Sequence, residues 1–482
     1  MKQKHLTANY AWNFVGVLLG FLFPVLSFMY VSRIIGVDGL GKVEYSFAIV
    51  NMAIVVSRLG IQTYAIGKAS GYRDDRAQLS RFFSEILTIS FVTTLLVEIG
   101  FLIIVFLTPA FAPYRYLLCI GSANVVLSTL GIPWLYSALE EFRYITLRQL
   151  AFQILSILLL LLLVRDENDV VAYAVVSVFA MSAPGIVNLL HAGKYVDYHL
   201  RGLSIGQHWK PILILFLFHA SSSIYANSDK IMLGYIKGEA SVGYYAAAIK
   251  IAAVVTEVLA VVRTTVLPRS AYYLLHQEET KYRKLLNSTV GLITMLSVPA
   301  CTFLFVLSED LILIFSGAEF RAAAPAGRIL ALMILFGPLN GMLVQNIFVI
   351  HGREKTAAII SGAGAVVNIV LNLFLLAPYG AKAAAATTVL SEIVVLALIL
   401  VFSKSKNIFA GMFGEIWKYS CGAILIAICW IFYRNFALPP FLRVSSFGIL
   451  GGSAYLVLMI ALQESHMKQG VKIIRDKFFP KM

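Results

Sequence analysis

The chain has 482 residues, of which 59% are hydrophobic and only 13% charged, with a mean hydropathy of +0.83. A soluble domain carries about 25% charge, so the composition excludes a soluble enzyme and leaves an integral membrane protein. The net charge of +14 would suggest nucleic acid in a soluble chain; here the cations sit in short loops between apolar runs, which fits membrane topology instead.

Crossing a bilayer takes about 20 apolar residues of helix. Lys2 and Lys4 precede such a run at 10–31, which has no small-residue cleavage site and reads as a first span, not a signal peptide. Further runs follow at 43–68, 82–107, 116–138, 146–164, 170–190 and 210–235. A second set covers 242–266, 285–307, 328–350, 356–377, 381–403, 414–433 and 445–463. The expected fold is an all-α integral membrane protein of about fourteen transmembrane helices, or twelve if the last pair is discounted. The longest outer loop runs only from about Ser308 to Arg328, too short for a sugar-processing enzyme domain. Cys119, Cys301, Cys421 and Cys429 lie within apolar runs without disulfide or metal spacing and read as core filler.

With the N-terminus inside, the inner segments hold 25 Lys and Arg, the outer segments 10, and four lie within spans. That asymmetry predicts both termini in the cytoplasm. The chain also repeats at an offset near 200 residues. Ser32-Arg33-Ile34-Ile35-Gly36, then Gly39, Gly41 and Tyr45, answers Asp229-Lys230-Ile231-Met232-Leu233-Gly234, then Gly238, Gly243 and Tyr244. In each copy a charge just before a glycine closes a helix, and an aromatic opens the next. Six spans separate the copies, so both halves keep one orientation, a parallel-repeat transporter plan.

Charges inside spans cost about 2.5–3.5 kcal/mol each at mid-membrane, so they face protein or water. They include Arg58, Glu98, Asp229, Lys230, Lys250, Glu257, Arg263 and Glu392. His219, Ser222 and Asp229 share one face of the seventh span, and Lys250 and Glu257 share one of the eighth. Arg263, near an inner end, reads as a snorkelling side chain, and Glu98 and Glu392 as structural partners of buried cations or as cavity groups. Arg58 lies too deep to snorkel. A cation opening into a cavity suits a phosphate-bearing substrate. Gly36 to Val43 imitates a nucleotide-binding loop but ends in Val43, where magnesium needs Ser or Thr, and lies on the outer face. His219 reads as an interior histidine, not a catalyst.

The run Asn227-Ser228-Asp229-Lys230 to Gly234, with Gly243-Tyr244-Tyr245 to Lys250, resembles the polysaccharide-exporter branch of the MOP superfamily. These are the Wzx-type oligosaccharide flippases, related to MATE exporters and lipid II flippases. Ser32 to Gly36, Gly41, Tyr45-Ser46 and Arg58-Leu59-Gly60 are similar to the family's opening, and the likeness covers most of the chain. It implies an N-terminal six-helix lobe over 1–205 and a C-terminal one over 206–405. Two further transmembrane helices and a basic cytoplasmic tail would fill 406–482. It implies a non-enzymatic flippase in a bacterial cytoplasmic membrane, moving undecaprenyl-pyrophosphate-linked oligosaccharide outward by ion- or potential-driven alternating access. Polysaccharide polymerase and glycosyltransferases would be its partners. By position Arg58 corresponds to a cavity arginine, with Lys230 and Lys250 as companions and Glu98, Glu257 and Glu392 as interior charge partners.

The resemblance also implies a sodium site of Asp229, Asn368, Asn372, the Ala384 carbonyl and Thr388, with sodium or protons as coupling ion. Asn372 departs from the related pattern, which has a second carboxylate there. Asn368 and Asn372 share a helix face, as do Ala384 and Thr388, and all the donors are oxygens, as a hard cation requires. Asparagines that glue helices together are the plainer alternative. A lipid II flippase and a MATE-like multidrug exporter are the rival functions; the intramembrane cations would repel a cationic drug.

Overall fold

The computed structural model describes residues 6–199, 201–403, 412 and 414–468. Among them every long element is a helix, as a bilayer demands of a chain that must satisfy its own backbone hydrogen bonds. The described residues up to Gly243 form one compact unit and those from Tyr244 a second.

In the first unit α1 (Leu6–Arg58) is broken in its middle at Gly36, whose φ of 65° and ψ of −172° interrupt the helix. Only a residue without a Cβ takes that conformation readily. A second short break, at Leu59 and Gly60, precedes α2 (Ile61–Tyr72). Then come α3 (Arg76–Leu107), α4 (Arg115–Leu130), α5 (Pro133–Ala138), α6 (Phe142–Leu163), α7 (Val170–Ala192) and α8 (Trp209–Lys237). The second unit takes most of α9 (Glu239–Leu275), then α10 (Glu279–Ser316), α11 (Ala324–Ala331), α12 (Met333–Ile347), α13 (Glu354–Tyr379) and α14 (Ala381–Phe402). It ends with α15 (Ile416–Tyr433) and α16 (Pro440–Ala461).

Twelve of the described helical segments are long and apolar enough to span a membrane. One of them, Phe23–Tyr72, contains the Gly36 break and so holds parts of two legs, and α8 adds another long helix of 29 residues. About fourteen legs result, and the protein is a multi-pass membrane protein. Its outward apolar side chains agree: Leu107, Phe374 and Phe432 are each more than 70% exposed, which only lipid makes stable.

Helices overrun the hydropathy windows. The run at 285–307 belongs to α10, which continues to Ser316, so the outer loop expected from Ser308 shrinks to a 3-10 turn, Ala318–Ala323. Hydropathy falls at the interface while backbone hydrogen bonding continues past it. The seventh leg likewise does not close at Gly234. It runs on to Lys237 and turns at Gly238, with φ 81° and ψ −178°. Gly234 instead admits an aromatic, since a Cβ there would lie 2.2 Å from the Tyr45 ring.

The repeat is thereby placed in register. Gly36 and Gly238, 202 residues apart, adopt nearly the same φ and ψ. The six-residue 3-10 turn Pro109–Tyr114 after α3 is matched by Ala318–Ala323 after α10. In the second unit α15 and α16 are tied to α10. Tyr455 Oη donates to the Met295 carbonyl at 2.7 Å, and Arg443 Nη1 reaches Asp310 Oδ1 at 3.1 Å. Cys421 on α15 is exposed and so is not core filler, and Cys119 and Cys429 are only half-buried; an outward apolar position on a membrane helix accepts a thiol as readily as a core does.

Candidate functional site

Arg58 is the last residue of α1, and the break after it frees its side chain from the helix ladder. Leu59 turns the backbone at φ 47°, and Gly60 lets α8 come close; a Cβ on Gly60 would lie 2.6 Å from the Ile212 carbonyl oxygen. Arg58 Nη2 donates to the Ser128 carbonyl at 3.2 Å. Behind it Ser57 Oγ stands 3.0 Å from both Thr94 Oγ1 and Thr129 Oγ1, and Thr93 Oγ1 donates to the Ser57 carbonyl at 3.0 Å. These buried hydroxyls lock the end of α1 to α3 and α4. Arg58 then forms part of a cavity of about 510 Å³ whose other polar walls are Gln62, Thr63 and Ser223. A guanidinium has five N–H donors, and here one of its nitrogens holds a carbonyl, leaving donors for an anion in the cavity. The cation makes no ion pair to a described residue.

Lys230 has a different setting. Its Nζ lies 2.5 Å from Glu44 Oε2, both side chains about a fifth exposed. Lys250, on α9, is half-buried, and Glu257 is exposed. Arg263 is half-buried with its guanidinium against Gly341, where a Cβ would lie 2.5 Å from Nη1. Glu98 is half-buried on α3. Glu392 is buried on α14, and Asn340 Nδ2 donates to its Oε2 at 2.6 Å. The side chains of His219 and Ser222 lie outside the described residues.

The structure brings the second-unit oxygens together. Asn372 Nδ2 donates to Asn368 Oδ1 at 3.1 Å, and both residues are fully buried. Thr388 Oγ1 donates to the Ala384 carbonyl at 2.8 Å and lies 3.2 Å from Tyr245 Oη. Thr387, which sequence reasoning passed over, donates to Asn372 Oδ1 at 2.7 Å. The donor set is all oxygen, as a hard cation prefers. Asp229 is buried in the first unit. No group of three or more His, Cys, Asp and Glu suited to a metal occurs among the described residues.

Two further ionic features escaped the sequence. Glu44 opens the second leg, and its partner Lys230 stands 186 residues away, beyond any local pattern. Glu85 and His208 form a buried pair, Nε2 to Oε2 at 2.8 Å, with Tyr64 Oη 2.7 Å from His208 Nδ1. In the segment after α7, Asp197 pairs with Arg76 at the start of α3 at 2.8 Å, and that hydrogen bond holds the carboxyl below the usual carboxylate range.

A family model described as a polysaccharide biosynthesis protein matches residues 6–274, more than half of the chain, and a second, MatE, matches residues 211–374. The chain is 22% identical over 391 residues to a protein of Shigella dysenteriae named "Putative O-antigen transporter", covering 79% of this chain and 95% of that one. A protein of the same name from Escherichia coli (strain K12) is 22% identical over 408 residues, covering 80% and 94%. Among solved structures, the lipid II flippase MurJ in its inward closed conformation matches with a TM-score of 0.76 at 17% identity, over 95% of this chain and 99% of that one. At that identity the likeness speaks for the fold.

Proposed function

The chain belongs to the polysaccharide biosynthesis protein family, and from that premise we propose that it is a flippase for lipid-linked oligosaccharides. Its cargo in this reading is an undecaprenyl-pyrophosphate-linked repeat unit for cell-surface polysaccharide. The unit passes from the cytoplasmic to the outer leaflet of a bacterial cytoplasmic membrane by alternating access, and both termini of the protein are cytoplasmic. The names of its relatives support the cargo class, and glycosyltransferases and a polymerase would work on either side of the step.

The observation that carries the reading is Arg58 on the wall of its cavity, anchored to the Ser128 carbonyl and without a counter-ion among the described residues. A pyrophosphate cannot cross apolar helices without a cation to replace its water, and a guanidinium offers paired donors to phosphate oxygens. Gln62, Thr63 and Ser223 supply neutral hydrogen-bonding groups of the kind that suit sugar hydroxyls. In this reading no bond is made or broken; the protein binds, shields and releases.

We also propose a coupling ion, sodium or a proton. The buried oxygens of Asn368, Asn372, Ala384 and Thr388, all in the second unit, support sodium by donor type.

The deciding experiment is Arg58→Ala in a strain that depends on this protein. Surface polysaccharide should fall at least about tenfold while the protein remains inserted and expressed, and Arg58→Lys should recover part of it. Normal polysaccharide in the inserted Arg58→Ala protein would overturn the reading. The MatE match favours a second reading, export of organic cations. A cationic cavity opposes it, and unchanged drug sensitivity on deletion would remove it. Rescue of a cell depleted of its own lipid II flippase would point to that cargo instead.

A further inference from the structure

A second cavity, of about 350 Å³, lies away from Arg58, between α2, the start of α3 and the segment before α8. Its walls include Tyr64, Lys68, Tyr72, Gln78, Arg81 and His208. The floor is built around one buried acid. Glu85 Oε1 accepts from Ser204 N at 2.8 Å and lies 3.4 Å from Arg81 Nε; Oε2 takes His208 Nε2 at 2.8 Å. His208 is fixed in turn by Tyr64, 2.7 Å from its other ring nitrogen. Both carboxylate oxygens are therefore committed to the protein.

Arg81 is held on two of its three nitrogens. Nε faces Glu85, and Nη2 donates to the Gly202 carbonyl at 3.1 Å and Ser204 Oγ at 3.3 Å. Nη1 has no partner among the described residues. The same is true of Lys68 Nζ, the Tyr72 hydroxyl and the Gln78 side-chain amide. The groups left to the cavity thus carry an excess of N–H and O–H donors, two of them cationic, while the wall's one acid is used up. A sugar hydroxyl needs donors and acceptors alike; an excess of donors with a surplus positive charge fits an oxyanion. The cavity also adjoins the segments 68–81 and 194–210, which hold seven Lys and Arg and lie on the side that the charge rule assigns to the cytoplasm.

We infer that the cavity between α2 and α3 binds the phosphate headgroup of a membrane lipid at the cytoplasmic face, with Lys68 and Arg81 as its cations. The inference rests on the reading that a phosphate-bearing lipid is this protein's cargo, and it adds a station separate from the Arg58 cavity. Glu85 and His208 are positioning residues, holding Arg81 so that Nη1 stays available.

The test uses purified full-length protein in phosphatidylcholine nanodiscs, followed by thermal unfolding. One arm adds inorganic pyrophosphate; the other replaces part of the lipid with phosphatidylglycerol. At least one probe should raise the unfolding temperature. Lys68→Gln should demand about tenfold more of that probe for the same shift, Tyr72→Phe a smaller excess, and Lys68→Arg should respond nearly as the wild type. Lys68 is exposed and has no ion pair among the described residues, so these variants should fold. A response to pyrophosphate alone assigns the cavity to a pyrophosphate-headed lipid, and a response to phosphatidylglycerol alone to a bilayer lipid. Absence of any response in the wild type, or equal responses in Lys68→Gln, would overturn the inference. If Arg58→Ala still abolished surface polysaccharide, that failure would leave the flippase reading intact.

Discussion

Arg58 and Lys230 are both cations on apolar helices, yet their neighbours separate them. Arg58 keeps its charge for the cavity, whereas Lys230 is matched by Glu44 at 2.5 Å. Removing one partner of a buried pair costs about 3–5 kcal/mol, because the other charge is stranded; with a fifth of each side chain exposed the cost here is smaller. Glu44→Gln should therefore lower the unfolding temperature of the purified protein, and Glu44→Lys combined with Lys230→Glu should restore most of it. Equal melting of wild type and Glu44→Gln would show that the pair adds nothing. At the water-exposed end, Arg76 depresses the Asp197 carboxyl. A depressed carboxylate adds stability above its unfolded value, and that stability is lost as pH falls through the lower folded value. Asp197→Asn should thus lower the melting temperature near neutrality and converge on the wild type as pH falls below about 4, an effect kept small by exposure. Residue type alone marked Arg58 as an interior cation. Partners were not legible, because Glu44 and Lys230 stand 186 residues apart and only folding makes them neighbours.

Among the elements, the two turns of the repeat carry the sharpest constraint. A Cβ on Gly41 would lie 2.0 Å from the Glu239 carbonyl oxygen, and one on Gly243 would lie 2.4 Å from that of Val37. Both offsets, 37 to 239 and 41 to 243, are 202 residues, so each copy's glycine seats the other copy's carbonyl, as a two-fold contact requires. Even Gly41→Ala brings its Cβ inside contact distance of backbone that cannot rotate away. Overpacking costs about 1–3 kcal/mol, occasionally more, so Gly41→Val should unfold well below the wild type. Gly67→Ala, where a Cβ meets nothing within 4 Å, is the control and should melt as the wild type does. The glycines were visible in the sequence as a repeated turn. Their register was not: an apolar pattern puts the first turn at Gly36 but ends the second at Gly234, four residues early, because Gly234 looks like a helix stop until Tyr45 is seen against it.

At the scale of the molecule, the described chain is two compact units with an apolar exterior, and transport is a property of the whole. If sodium couples the cycle, purified protein should unfold at a higher temperature in sodium than in potassium chloride, and Asn372→Ala should erase the difference; identical melting in both salts would leave the proton or the membrane potential as the driver. Hydropathy, loop charge and glycine punctuation by themselves determined the class and about fourteen legs, and they predict an inside-outside assignment and a repeat. Each is a local property of the chain, set by the cost of burying polar backbone and charge in lipid. Tertiary structure alone decided that Arg58 is anchored by Ser128 and faces a cavity, that Lys230 is neutralised by Glu44, and that Glu85 and His208 underlie a second, donor-rich cavity. These are contacts between segments far apart in sequence, and a helix pattern records which face is polar without recording what that face will meet.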